Sequence, residues 1–178
     1  LAEARGKATL GAKEITLLGQ TVNSYHVLEG QRHVRFPELL RRLGNIKEIN
    51  RIRFESPHPY FMDDDMISAM AETSSVCEQM HLPAQSGSDR VLKIMRRNYD
   101  AASFLDKAAR LRAAVPRVEV STDIIVGFPS ESDDDFARTL ELVETLRPSW
   151  SYTFKYSPRE GTESAGMTDD VPAEVKEE

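Results

Sequence analysis

The chain has 178 residues, 40% of them hydrophobic and 29% charged, with a formal net charge of −6. That balance excludes a disordered segment, and it excludes a module that grips nucleic acid mainly through its own positive charge, because phosphate neutralisation supplies most of such affinity. The single cysteine, Cys77, excludes an internal disulfide and a metal site built from clustered cysteines.

The elements alternate between strand and helix. "LAEARGKATLGAKE" reads as the last turns of a helix, so the chain is expected to be a piece cut from a longer protein. "KEITLLG" (13–19) reads as a buried strand ending at a glycine. "FPELLRRLGNI" is a short helix with Pro37 in its first turn and Leu39, Leu40 and Leu43 on one face. "INRIRFES" is a strand stopped by Pro57, "DDDMISAMAET" a helix, and "VCEQMHLP" the next strand. "SDRVLKIMRR" is a helix capped by Ser88, followed by a second helix, "DAASFLDKAARLRAAV". "VEVSTDIIVGFP" is an apolar strand, "SESDDDFARTLELVETLR" a helix with an acidic first turn, and "WSYTFKYSP" a final strand. The aspartate runs 63–65 and 133–135 read as solvated helix starts. Residues 158–178 read as a linker or wrapping segment whose end, "VPAEVKEE", begins another element.

Such alternation predicts a parallel sheet with right-handed crossovers. No G-x-G-x-x-G turn follows the first strand, so a part-barrel is expected rather than a dinucleotide-binding sheet. No apolar run approaches the roughly 20 residues that cross a bilayer, and no signal peptide opens the chain, which fits a cytoplasmic setting.

In parallel α/β architectures chemistry collects where strands end. The residues there are Gly19 and Gln20, Glu55 and Ser56, Gln85 to Ser88, Asp123 with Gly127 to Pro129, and Lys155 to Ser157, with Arg97 at the end of the following helix. Arginine suits an amino-acid carboxylate, while carboxylates and amides suit an ammonium and ribose hydroxyls. That inventory fits S-adenosylmethionine. Plainer roles stand beside it. Gly19 permits a tight turn, Glu55 suits pairing with Arg51 or Arg53, and Arg96 and Arg97 suit a helix C-terminus. Asp123 lies in an apolar strand, where a carboxylate needs a partner or a function. Cys77 reads as core, and His58 and His81 are single histidines with no His/Cys/carboxylate constellation for a metal visible in the sequence.

Four stretches, "EITLLGQTVNSY", "HLPAQSGSDRVLKIMRR", "STDIIVGFPSESDDDF" and "TFKYSPREGT", resemble the radical S-adenosylmethionine methylthiotransferases. The resemblance is to the tRNA branch, which makes 2-methylthio-N6-isopentenyladenosine beside the anticodon. The ribosomal-protein branch differs at the first stretch. The resemblance implies a partial (β/α)6 radical-SAM-type barrel over residues 1–157, lacking its first strand, and an exit segment over 158–178 toward a carboxyl-terminal RNA-binding domain. It implies that Gly19 and Gln20 meet the methionyl amino group. Glu55 with Ser56, Gln85 with Ser86, Arg97 and Asp123 would contact ribose or the methionyl carboxylate and amine. Gly127 and Pro129 would line the adenine side, and Tyr156 and Arg159 would face the substrate nucleotide. No catalytic residue and no metal ligand is assigned within the chain.

The family's reaction uses two 4Fe-4S clusters, one on a C-x-x-x-C-x-x-C loop and one on three further cysteines, none of them in this sequence. In that reaction one S-adenosylmethionine methylates a cluster sulfur. A second yields a 5′-deoxyadenosyl radical that takes hydrogen from C2 of the adenine, and methylthio transfer follows. Expected partners are tRNA and an electron donor, with no membrane and a monomeric state. The isolated chain is expected to be inactive, and its open sheet edge to make it poorly soluble. The alternatives are a ribosomal-protein methylthiotransferase and a cluster-free module that binds a nucleotide or a partner.

Overall fold

Helix starts fall where short polar side chains can take up the orphan amides of a first turn. In the computed structural model, which describes residues 1–177, Asp63 caps α3 (Asp64–Glu72), Ser88 caps α4 (Asp89–Ile94) and Ser132 caps α6 (Asp133–Leu146). The remaining helices are α1 (Ala2–Thr9), α2 (Phe36–Gly44) and α5 (Ala101–Ala114). No helix among the described residues is long and apolar enough to cross a membrane. The chain forms two compact units: residues 1–81 with 109–119, and residues 82–108 with the chain from 120 onward.

In the first unit β1 (Glu14–Leu17) pairs in parallel with β4 (Arg51–Phe54), Ile15 opposite Ile52. Phe36, Leu40 and Leu43 of α2 are buried with Ile52, Met62 and Met66, while Leu39 is half-buried. This is the face read from the leucine spacing. β1 itself corrects the expectation of a buried strand: Ile15 and Leu17 are only half-buried and Leu18 is exposed. Among the described residues its one strand neighbour is β4, so apolar side chains remain in contact with water.

A hairpin that the sequence reading passed over joins these strands' connection: β2 (His26–Glu29) runs antiparallel to β3 (Arg32–Arg35) through Gly30 and Gln31. Gly30 has φ +63° while Gln31 does not have positive φ, as a two-residue turn with glycine first requires. The stretch "VCEQMHLP" yields only β5 (Gln79–His81), with Val76 making a separate bridge to Ile52.

In the second unit β6 (Glu119–Val126), counted from Val120, pairs in parallel with β7 (Trp150–Lys155) across the crossover helix α6. Every residue of β7 is exposed, and Trp150, Tyr152 and Phe154 share one face by the alternation of a strand. α4 ends at Ile94, three residues before Arg97, which corrects the longer helix read from the sequence. Arg96 adopts φ +57° and turns the chain back, so that the Arg97 amide donates to the Leu92 carbonyl at 2.9 Å. Parallel strands joined through helices make this an α/β fold, and the strands among the described residues do not close into a barrel.

Candidate functional site

β6 supplies the backbone on which the site of the second unit is assembled. Leu82 and Gln85 donate their amides to the carbonyls of Ser121 and Asp123 at 2.7 and 2.8 Å, and Ile125 donates to the Gln85 carbonyl at 2.8 Å. Gln85 is held at φ +68°, a conformation that costs a non-glycine residue roughly 1 kcal/mol or more. Tyr99 braces the approach to this turn, its hydroxyl lying 3.1 Å from the Pro83 carbonyl and 3.2 Å from that of Ala84. Burial pushes its phenol up to about 12.

After Gln85 the chain is fixed to α6. Ser86, Gly87 and Ser88 are all buried. The Ser88 amide donates to Ser86 Oγ (3.1 Å), Ser86 Oγ meets Thr139 Oγ1 (3.3 Å), and Thr139 donates to the Asp135 carbonyl (3.1 Å). The Gly87 amide donates to the same Thr139 oxygen at 3.0 Å. Ser88 Oγ donates to Asp135 Oδ1 at 2.5 Å, and Arg90 Nη2 pairs with Oδ2 at 2.5 Å. Asp135 also completes the capping box of α6 with Ser132. It is therefore buried, not solvated as the run of three aspartates suggested. The Arg90 guanidinium and the hydroxyls of Ser132 and Ser88 hold its carboxyl well below the usual carboxylate range.

Gln85, Arg97 and Asp123 line one cleft of about 1050 Å³ in this unit, together with Ile125, Phe128 and Phe154. Tyr156 and Arg159 line it too. Asp123 lies opposite Tyr152 in the parallel register. Arg97 is half-buried, and its Nε is buried with no hydrogen-bond partner among the described residues. Tyr156 donates to the Ser164 carbonyl (2.8 Å) and stands edge-on to Phe128, while Lys176 Nζ lies 5.6 Å from its ring centre.

Ser86 and Gly127 stand differently. The Ser86 hydroxyl is taken up beneath the turn, as above. Gly127 has φ +66°, donates its amide to Glu131 Oε2 at 2.6 Å, and lies so close to Lys176 that a Cβ there would sit 2.4 Å from Lys176 Cγ. Glu131 Oε1 is buried without a partner among the described residues, and burial raises this carboxyl's pKa. Lys176 reaches Asp169 at 2.5 Å, and the Ser130 amide donates to Asp170 at 2.6 Å, so the segment after residue 158 packs against the end of β6.

The other candidates belong to the first unit. Gly19 lines a cleft of about 700 Å³ with Ile15, Leu17, Val22 and Phe36. Gln20 and Glu55 are exposed, and Ser56, at φ +57°, accepts the Val22 amide at 3.2 Å. Glu55 borders a pocket of about 20 Å³ with Arg53, Cys77 and His81. Arg51 and Arg53 pair with Glu14 rather than with Glu55 (2.5 and 3.2 Å). Cys77 is half-buried. No group of three His, Cys, Asp or Glu side chains that could hold a metal ion occurs among the described residues.

Residues 1–143 match the radical SAM superfamily. The chain belongs to that superfamily. It is 52% identical over 165 residues to a tRNA-2-methylthio-N(6)-dimethylallyladenosine synthase of Bifidobacterium longum, covering 93% of this chain and 34% of the relative. Like-named proteins of Thermobifida fusca and Clavibacter michiganensis are 49% and 52% identical over 178 residues, the whole chain, which spans 36% and 34% of them. The chain thus spans about a third of the length of the curated relatives it matches. A solved structure, coproporphyrinogen III oxidase from Escherichia coli, superposes with a TM-score of 0.71 at 18% identity, covering 98% of this chain and 40% of that one. This radical SAM chain therefore shares the fold of that enzyme. Thr139, which bonds to Ser86 and Gly87, escaped the sequence reading, and Asp135, which bonds to Ser88, was read as part of a solvated helix start. The S-x-x-D spacing of a capping box from Ser132 to Asp135 was the one available signal.

Proposed function

We propose that the full-length protein is a radical S-adenosylmethionine methylthiotransferase that modifies C2 of N6-isopentenyladenosine beside the anticodon of tRNA. In this reading the chain is a part-barrel lacking its first strand, and its share of the work is to hold S-adenosylmethionine and the substrate nucleotide. The relatives named above support the reaction. The observation that carries the binding role is the cleft where Arg97, its buried Nε without a hydrogen-bond partner among the described residues, stands with Gln85 and Asp123.

The donor set fits S-adenosylmethionine. Arg97 is the cation for the methionyl carboxylate, Asp123 the acceptor for ammonium or ribose hydroxyls, and Gln85 an amide able to donate and accept. Phe128 and Ile125 supply apolar wall against which water is excluded. When bound, S-adenosylmethionine supplies the radical chemistry of this superfamily. The chain's residues contribute position, because an unrestrained radical attacks whatever is near. Tyr156 and Arg159, on the same cleft, are assigned to the substrate nucleotide. The 4Fe-4S clusters do not fit this chain: it has one cysteine, Cys77, and no three-ligand group among its described residues. Their ligands are assigned to other parts of the protein.

The test is calorimetric titration of S-adenosylmethionine into the anaerobically reconstituted full-length protein. Arg97→Ala and Asp123→Ala are each expected to weaken binding about 10- to 100-fold, the worth of one charge-assisted hydrogen bond. Unchanged affinity in both overturns the assignment. Nucleoside mass analysis of tRNA from a deletion strain tests the substrate, with loss of the methylthio group expected.

A further inference from the structure

The residues that touch the cleft do not hold themselves in place. Gln85 is a non-glycine residue kept at φ +68°. Its amide and carbonyl are both tied to β6, so the backbone there cannot relax without losing strand hydrogen bonds. The three residues that follow are buried against α6. Gly87 lies so flush on that helix that a Cβ would stand 2.3 Å from the Arg138 carbonyl oxygen and 2.6 Å from Thr139 Cα. At this contact Thr139 places one hydroxyl. It spends its only hydrogen on the Asp135 carbonyl (3.1 Å) and so must accept from the Gly87 amide (3.0 Å) and from Ser86 Oγ (3.3 Å). A directional chain results, from the Ser88 amide through Ser86 and Thr139 to the α6 backbone, in which each bond polarises the next. One turn earlier on α6 the Asp135 carboxylate takes the Ser88 hydroxyl. Neither Thr139 nor Asp135 lines the cleft.

We propose that Thr139 and Asp135 are positioning residues: they clamp the Gln85–Ser88 turn onto α6 so that Gln85 meets the cofactor in one fixed orientation. This rests on the reading of the cleft as the S-adenosylmethionine site. Between the turn and α6 the Thr139 oxygen accepts from the backbone amide of Gly87 and the side chain of Ser86, so a valine of the same shape removes the link while keeping the packing. The buried Gly87 amide is then left without an acceptor.

The experiment uses the reconstituted full-length protein with Thr139→Val and Thr139→Ser, titrated with S-adenosylmethionine, and hydrogen exchange over residues 84–90. Thr139→Val is expected to weaken binding about tenfold and to speed exchange at Gly87, with cluster content as in the wild type. Thr139→Ser, which keeps the hydroxyl, is expected to stay within about twofold of wild type. Retained affinity in the valine variant overturns the proposal, as does a serine variant as poor as the valine, which would assign the effect to packing. Should the valine variant fail to fold, Thr139→Ala removes the same oxygen without adding volume and is read by the same criteria. If Arg97→Ala and Asp123→Ala weaken binding and Thr139→Val does not, only the positioning role falls. If the wild type does not bind S-adenosylmethionine, the function falls and the positioning role falls with it.

Discussion

Asp135→Asn removes a charge while keeping the shape of the side chain. The carboxylate accepts from Ser88 Oγ at 2.5 Å, Arg90 Nη2 at 2.5 Å, and the amide and hydroxyl of Ser132 at 2.9 and 2.6 Å. An asparagine can keep its oxygen toward Ser132 and let its amide donate to Ser88, so the contacts rearrange rather than vanish. What is lost is charge assistance to the buried neutral donors, about 1 kcal/mol, and the attraction to Arg90. The Arg90 side chain is 50% exposed, which limits its share to about 1 kcal/mol or less. The expected loss is therefore about 2 kcal/mol, or roughly 30-fold faster hydrogen exchange over residues 85–88 of the full-length protein at pH 7. The pH dependence follows from the depressed carboxyl. Its contribution is complete above the unfolded value near 4 and is lost as pH falls through the lower folded value. The wild-type advantage should stay constant from about pH 8 to about 5 and shrink only below about 4. A difference under about threefold at pH 7, or an advantage that disappears between about pH 6 and 5, refutes the reasoning.

Three further outcomes are expected. Gly87→Ala sets a Cβ against immovable helix backbone and should cost about 1–3 kcal/mol, seen as a lower melting temperature of the full-length protein. Gly6→Ala, in α1 with nothing within 4 Å of the added carbon, should instead gain up to about 1 kcal/mol. The phenol of Tyr99, raised by burial to about 12, gives stability that is complete below the unfolded value near 10 and declines as pH climbs from there toward 12. Tyr99→Phe should lose that decline, measured by alkaline melting curves, and should be less stable at pH 8 by about 1 kcal/mol for the missing hydroxyl bond.

Much of this arrangement is written in local chemistry. Ser88 caps α4 because a hydroxyl just before "DRVLKI" can take an amide of the first turn, and Leu40 and Leu43 face inward because of their spacing. Strand ends located Gln85, Asp123 and Tyr156, which do share a cleft. Other features depend on partners far away in sequence. Asp133, Asp134 and Asp135 look alike in a row, yet only the third turns inward, to a serine 47 positions earlier. The β2–β3 hairpin carries histidine and arginine where an alternating apolar face would have announced it, and His26 stacks on His33 at 4.8 Å between ring centres. Burial of β1 could not be read from its β-branched and leucine residues, because burial is set by how many neighbours a strand gains. The backbone of Gln85 at positive φ has no compositional mark, since glycine and asparagine are the residues that advertise that conformation.

The packing of Lys176 on Gly127 bears on how this protein can be divided. A lysine stem, its side chain 8% exposed, roofs the backbone that follows β6, while Tyr156 and Asp169 flank its ammonium. Trimming at the last strand, a natural choice for an expression boundary, would unroof that glycine. The residues that look like packaging between modules therefore belong to the folded unit that precedes them.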